Sequence, residues 1–462
     1  MQTTESVQLL KEIESKYRVD QICYDGIQLW PIFRVYIGSQ LHFDADRSVR
    51  LNKDIALRGF SNLFRGFKNL FRSFDYLSFT SSDQRKEIDS FMFERADFVD
   101  AQYGKMLSVE TPSPAHFRRE RYKSSMTSHM LLYAIEFGLI KFMRLNSSKF
   151  TGMKVLNNIL EDYNVSIDPT YLTKRFKAQF KVMRGLNRIW KVNRVFMTTP
   201  YTKYGYVYYF KNEDIPVIEF QHGVISAAHN AYNVYAQVEK NFYPDYLLTF
   251  GELEHKVFES SFYIQPKHCF AVGSFYIDYI SNLKEKNIVK QRYPDYQNYV
   301  AIVLQDMYES ELFEFMQNVF DECEQSLFIL IPRQKKENYY RKHFDIPENT
   351  VFFSKLNTYQ IIKMCDVHTT INSTTAIEAP SLGTPNILIN NTGLAIQYYG
   401  SVLVNEEVNK FANTPEDYIK LLREFKKIPI DKAKKSNDHI FKTNFKLQLN
   451  SALKRIDSDV ER

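Results

Sequence analysis

Short apolar runs recur along this chain, and each stops against small polar residues or a glycine. Tyr76-Leu77-Ser78-Phe79-Thr80 runs into Ser81-Ser82-Asp83, and Arg194-Val195-Phe196-Met197 into Thr198-Thr199. Ile215-Pro216-Val217-Ile218-Glu219-Phe220 ends at Gln221-His222-Gly223. Asp245 to Phe250 ends at Gly251, and Phe270-Ala271-Val272 at Gly273-Ser274. Runs of this kind read as strands buried on both faces, the habit of a parallel sheet. Between them the apolar spacing changes to three and four. Lys174 to Arg194 is helical, and Thr202 to Asn212 is a helix or a tyrosine-rich turn. Strand and helix in alternation predict βαβ units.

The second half repeats the scheme. Strands are expected over Tyr299–Gln305, Ser326–Pro332, Thr350–Phe353, Asp366–Thr370 and Asn386–Asn390, with helices over Glu309–Glu322, Thr358–Met364 and Thr375–Leu382. The predicted fold class is therefore α/β: two Rossmann-like domains facing across a cleft, with an N-terminal helical extension. The expected divisions are an extension over 1–74, a first domain over 75–281, a linker over 282–298, a second domain over 299–430 and a helical tail over 431–462. Further helices are expected over residues 5 to 17, Trp30 to Leu41 and Lys123 to Phe142, a short strand or hairpin over Phe91 to Ala101, and a helix over Glu252 to Ser260.

Composition narrows the class. Of 462 residues, 44% are hydrophobic and 25% charged, as in a folded globular chain. Cys23, Cys269, Cys323 and Cys365 lie far apart, which argues against a zinc site and a disulfide framework and for a reducing compartment. The first residues are polar and acidic, unlike a signal peptide, and no apolar run reaches the ~18 residues of a membrane span. The expected location is cytoplasmic, with or without attachment to the inner face of the plasma membrane. The formal charge is only +6, but it is concentrated. Between Arg47 and Arg72, Leu57, Phe60, Leu63, Phe64, Phe67, Leu70 and Phe71 recur at helical steps, with Arg58, Arg65, Lys68 and Arg72 between them. That is the pattern of a basic amphipathic helix for an anionic membrane surface, or of a helix docking its Phe/Leu face on the core.

Ligands of open α/β sheets bind at the carboxyl ends of the strands. His222, at such an end beside Gly223, is a candidate acceptor-side base; the alternative is a satisfied histidine capping a core strand. Gln221, Gly223, His229 and Tyr232 are candidate acceptor contacts. Glu219 is a candidate to orient His222, although strand alternation puts it on the opposite face, and Asp83 is a reserve catalytic carboxylate. In the second half, Arg333 and Lys335 follow a strand end, where cations meet phosphate. Ser373, Thr374 and Thr375 open a helix, where backbone N–H groups bind anions, and Glu378 lies a turn further on, placed for a ribose diol. Read blandly, the hydroxyls are an N-cap and the glutamate is solvated.

The run Ser373-Thr374-Thr375-Ala376-Ile377-Glu378-Ala379-Pro380-Ser381-Leu382-Gly383-Thr384-Pro385 resembles the donor-nucleotide motif of GT-B glycosyltransferases, with Pro380 interrupting the helix. Gln221-His222-Gly223 resembles the His-Gly element of the CDP-glycerol glycerophosphotransferase and bacterial capsule-polysaccharide transferase families. The resemblance spans roughly Asp75 to Lys410. It implies a nucleotide-sugar donor as substrate, a glycan or lipid-linked acceptor, no cofactor or bound metal, and transfer with inversion during capsule or surface polysaccharide synthesis. It equally admits a CDP-glycerol-type polyol-phosphate transferase. A nucleic-acid-binding protein using the basic stretches Arg47–Arg72 and Lys174–Arg194 is a third reading, and no nucleic-acid motif accompanies the charge.

Overall fold

The computed structural model describes residues 3–42, 62–99, 104–112, 124–227, 229–305, 307–333, 335–353 and 356–460. The chain divides into two compact units. The first comprises Met1–Ala271 with Leu449–Arg462, and the second Val272–Gln448.

The first unit is built on seven parallel strands: β1 (Tyr76–Ser81), β2 (Met106–Thr111), β3 (Ser125–Ser128), β4 (Arg194–Met197), β5 (Val217–Phe220), β6 (Tyr246–Thr249) and β7 (Cys269–Ala271). Their order is β7-β6-β5-β4-β1-β2-β3. Chain order reverses between β1 and β4, so this is a doubly wound sheet with its crevice over the ends of those two strands. Every residue of β5 is buried, which is why the run lacks the alternation of a half-exposed strand. Two strands differ from the sequence reading. β2 was not anticipated, and β3 occupies the start of the stretch read as one helix over Lys123–Phe142. The Ser128 side chain accepts from Met130 N and starts the helix only at His129.

The first helices, α1 (Thr3–Lys16) and α2 (Trp30–His42), do not stand apart as an extension. Leu10, Ile13, Trp30 and Phe33 share one buried cluster with Tyr232, Leu247 and Phe258. The physical reason is a buried ion pair. Arg34 Nε lies 2.7 Å from Glu14 Oε1, with both side chains wholly inaccessible. Arg34 also donates to the carbonyls of Asn230 and Asn233, and Glu14 Oε2 accepts from the amides of Tyr235 (2.6 Å) and Ala236 (3.0 Å). Trp30 Nε1 completes the set on Glu14 Oε1 at 3.0 Å. A buried pair is tolerable only when such bonds satisfy its remaining donors and acceptors.

Of the expected basic amphipathic helix over Arg47–Arg72, residues 47–61 lie outside the described residues. From Leu63 onward the stretch is not an α-helix. Gly66, at φ +70°, ends one turn, and Phe67–Phe71 forms a 3-10 turn. A Cβ at Gly66 would meet the Met126 carbonyl at 1.9 Å, so the segment closes on the edge strand only with glycine there. Glu252–Ser260 is likewise a 3-10 stretch, Leu253–Glu259.

The second unit has six parallel strands: β8 (Asn298–Val303), β9 (Ser326–Ile331), β10 (Thr350–Phe352), β11 (Val367–Thr369), β12 (Asn386–Ile389) and β13 (Asn409–Ala412). Their order, β10-β9-β8-β11-β12-β13, reverses between β8 and β11. Both units are thus Rossmann-like. The stretch expected as a linker carries a short helix, Ile288–Arg292, and the tail has the helices Ile430–Ser436 and Phe445–Val460. From Leu449 onward that last helix belongs to the first unit, with Leu449, Leu453 and Ile456 fully buried. No helix among the described residues is long and apolar enough to cross a membrane.

Arg34→Met leaves Glu14 buried without its cation. The expected loss is about 3–5 kcal/mol from the first unit, read as an earlier unfolding transition in urea; an unchanged transition would refute this role for the pair.

Candidate functional site

The crevice of the first sheet is walled by three turns. Asp83 lies exposed in the 3-10 turn Ser82–Gln84 that follows β1. Arg85 pins that turn, donating from Nε to Glu110 Oε2 and from Nη1 to Asp97 Oδ2, each at 2.7 Å. The same ion cluster fixes the turn Arg95–Phe98, so Arg95 is held beside Gln84, with a hydrogen bond of 3.1 Å. After β4, Thr199 takes a left-handed conformation (φ 53°), and the turn Pro200–Thr202 presents Tyr201. After β5 comes His222.

His222 Nε2 and the Tyr201 hydroxyl are 3.4 Å apart, and the Tyr201 ring also edges onto His229 and Tyr232. His222 Nδ1 is buried without a hydrogen-bond partner among the described residues. Burial first, then the charges of Arg95, His229 and Lys203, lower the His222 pKa to about 4, with Asp83 opposing them. The imidazole is therefore neutral near pH 7, with a lone pair to offer. Beneath this turn Lys203 is buried, donating to Thr198 O, Thr199 Oγ1 and Thr202 Oγ1 at 3.3 Å, and burial lowers it to about 8.

The other first-unit candidates separate into two groups. Gly223 and His229 border His222. Gly223 does not have a positive φ, and an added Cβ would meet nothing within 4 Å, so its surroundings are open. His229 Nδ1 accepts from Ala231 N at 3.3 Å. By contrast Gln221, Glu219 and Tyr232 are buried and bonded inside the unit. Gln221 donates to Gly223 O and Glu254 Oε1 and accepts from Phe250 N, so it shapes the turn rather than facing a ligand. Glu219 accepts from the hydroxyls of Tyr232 (2.7 Å) and Tyr263 (2.6 Å) and makes no hydrogen bond to His222. Burial raises its pKa to about 7, and strand alternation turns it away from the histidine.

In the second unit a cavity of about 290 Å³ opens at the switch between β8 and β11. Arg333, Ser373, Thr374, Thr375 and Glu378 all line it. Gln305, just past β8, closes the switch: its Nε2 donates to Asn372 O and its Oε1 accepts from Asn372 N, both at 2.8 Å. That clamp fixes the turn bearing Ser373. Tyr359 donates to Glu378 Oε1 at 3.0 Å and so orients the carboxylate at the cavity wall. The helix expected over Thr375–Leu382 is one α-turn, Thr375–Glu378, then a 3-10 turn, Ala379–Leu382, because Pro380 has no N–H to continue the ladder. Thr375 is buried and bonded to His368 Nε2 at 3.0 Å, a scaffold contact. Lys335 lies apart from the cavity, paired with Glu309 at 2.5 Å and stacked on Tyr339. Arg333, at the cavity wall, is exposed.

Sequence reading missed Arg95, Tyr201 and Lys203 in the first unit and Gln305 and Tyr359 in the second. Only Gln305 carried a signal, as the polar residue ending an apolar strand.

No family model matches the chain. No curated protein matches it either. Solved structures do. It is similar to the UDP-GlcNAc 2-epimerase of Neisseria meningitidis bound to UDP-GlcNAc, at 12% identity over 82% of this chain and 99% of that one, with a TM-score of 0.46. A variant of the wall teichoic acid polymerase TagF matches at 10% identity, over 88% of this chain and 98% of that one, TM-score 0.44. The glycotransferase of kitacinnamycin matches at 9% identity, over 82% and 99%, TM-score 0.44. Likeness at this level carries no inference about chemistry; the doubly wound character of each unit rests on the strand orders above.

Two outcomes follow from this geometry. Nuclear magnetic resonance titration of His222 is expected to give a midpoint near 4. Its folded value lies below the 6.5 of a free histidine, so its contribution to stability is present above pH 6.5 and lost as pH falls through 4. A midpoint near 6.5 would show a solvated ring. Gly223→Ala is expected to change stability by no more than about 0.5 kcal/mol, so that a loss of turnover in that variant reports a ligand passing close to the backbone.

Proposed function

We propose that this protein is a glycosyltransferase of GT-B type that takes a nucleotide-sugar donor on its second unit and a glycan or lipid-linked acceptor on its first. The observation carrying this reading is the cavity at the β8/β11 switch. It brings a guanidinium, a hydroxyl-rich turn and an oriented carboxylate together at the strand ends. Arg333 and the Ser373–Thr374 turn suit a diphosphate, and Glu378, steadied by Tyr359, suits a ribose diol.

In the proposed reaction the neutral ring of His222 accepts the proton of the acceptor hydroxyl. The hydroxyl oxygen then attacks the anomeric carbon from the side opposite the leaving group. The bond from that carbon to the diphosphate oxygen breaks, and the nucleoside diphosphate departs with the electron pair. The configuration inverts. Arg333 and the backbone of the turn carry the charge that develops on the diphosphate, so no metal is required of the site. Asp83 and Arg95 flank His222 with opposite charges and bias its protonation. Synthesis of a bacterial capsule or surface polysaccharide is the role we assign to such a transfer.

The reading is tested by a thermal-shift screen of nucleoside diphosphates, with CMP and CDP-glycerol included, followed by transfer assays with the donor that stabilises. Arg333→Ala is expected to weaken nucleoside diphosphate binding by about 10- to 100-fold, the share of a charge-assisted hydrogen bond. His222→Ala is expected to lower kcat by about 10²- to 10⁴-fold with donor affinity unchanged. Stabilisation by CDP-glycerol but by no nucleoside diphosphate or nucleotide-sugar would move the assignment to polyol-phosphate transfer. Near-normal turnover of His222→Ala would remove the histidine from the chemistry.

A further inference from the structure

The aromatic-basic motif is not used by the proposed reaction, and its described part has an unusual surface. The segment from Asn62 to Arg72 lies along the edge strand β3. Arg65 O accepts from Ser128 N at 2.9 Å, and Asn69 Nδ2 donates to Met126 O at 2.8 Å. Only Leu70 turns inward. Phe64, Phe67 and Phe71 turn outward, with Phe64 67% and Phe71 65% exposed, and their rings pack edge to face on one another.

A second element packed beside it also exposes apolar side chains. The helix His129–Phe142 leaves directly from the end of β3, and its Leu131 and Leu132 meet Leu70 in one buried cluster. Its outer face is apolar too: Ile135 is exposed, Phe137 is 70% exposed and Phe142 is 82% exposed. Two neighbouring elements that both expose large aromatic side chains are unusual on a chain that works alone in water.

Its charge selects the partner. Lys68 and Arg72 sit among the three phenylalanines, and Lys141 and Arg144 adjoin Phe142; all four are exposed. The helix Pro169–Trp190, which joins the same cluster through Val182 and Met183, contains no acidic residue and exposes Lys181, Arg184 and Arg188. Aromatic rings interleaved with cations suit the boundary between lipid headgroups and acyl chains, with anionic headgroups as counter-charge. We propose that the Phe64–Phe71 turn and the outer face of the helix His129–Phe142 dock the first unit onto an anionic lipid bilayer.

The test uses the full chain in co-sedimentation with phosphatidylcholine vesicles, with and without phosphatidylglycerol. The expected result is pelleting with the anionic vesicles, weakened by salt, and little with the neutral ones. Phe67→Ser combined with Phe71→Ser and Phe137→Ser is expected to lower vesicle affinity at least about tenfold. Lys68→Glu with Arg72→Glu is expected to remove the preference for anionic lipid. All five positions are exposed, and circular dichroism with nucleotide binding confirms that the variants fold. Absence of pelleting with any vesicle, or wild-type pelleting by the phenylalanine variant, would overturn the proposal. So would a concentration-dependent dimer, or binding to a single-stranded oligonucleotide, that the same substitutions abolish while vesicles are ignored. Nucleotide binding is read separately, so failure here leaves the donor assignment standing.

Discussion

The order of the turns around His222 in the first unit depends on one buried charge. Arg34 lies wholly inside the protein, where an unpaired guanidinium is not tolerated, and everything near it is arranged to answer that demand. Glu14 supplies the counter-charge, and two carbonyls of the 229–236 loop take the remaining donors. The loop is thereby fixed by helices far away in sequence. His229 and Tyr232 ride on it, and Tyr232 in turn meets Glu219 and the ring of Tyr201, whose hydroxyl faces His222. An aromatic and polar scaffold thus connects the first helices to the histidine.

The two sheets share a strand order, and the candidate site residues of each gather near the point where that order reverses. In the first, the turns after β1 and β4 open the crevice that His222 borders. In the second, Gln305 and Asn372 close the reversal by a reciprocal pair of hydrogen bonds. The crevice exists because neighbouring connections leave to opposite faces of the sheet, leaving the strand ends uncovered between them. The two candidate sites differ in charge. His222 sits among Arg95, Lys203 and Asp83 with its own ring neutral. The second offers an exposed guanidinium and hydroxyls.

The sequence was most legible where backbone and burial act together. Fully buried strands announce themselves as apolar runs, unbroken over residues 327–331 and interrupted only by Glu219 in Val217–Phe220, with polar residues following both. Legibility failed where tertiary contact overrode local pattern. Ser125–Ser128 has too little apolar content to read as a strand, yet pairing with β2 makes it one. The spacing of Phe64, Phe67, Leu70 and Phe71 suggested a helix, but Gly66 and the edge of the sheet impose a turn there. Among site residues, Arg95 and Tyr201 lie on turns whose position is decided by Arg85 and Thr199, and no spacing in the sequence ties those turns to His222. Gln221 and Tyr232 looked available because they adjoin a strand end; the structure uses both inward.

The path of the chain through the two units bears on how the protein is made. The second unit is one continuous segment, Val272–Gln448, whereas the first is completed by the residues that follow it. During synthesis the second unit can close before the first has its final helix. Until then the apolar sites that receive Leu449, Leu453 and Ile456 stay uncovered, and Arg194 waits for its ion-pair partner Asp457. A nascent chain of this design carries an unfinished first domain until the residues that follow the second unit have been made, an interval when exposed apolar surface invites chaperones or misassociation.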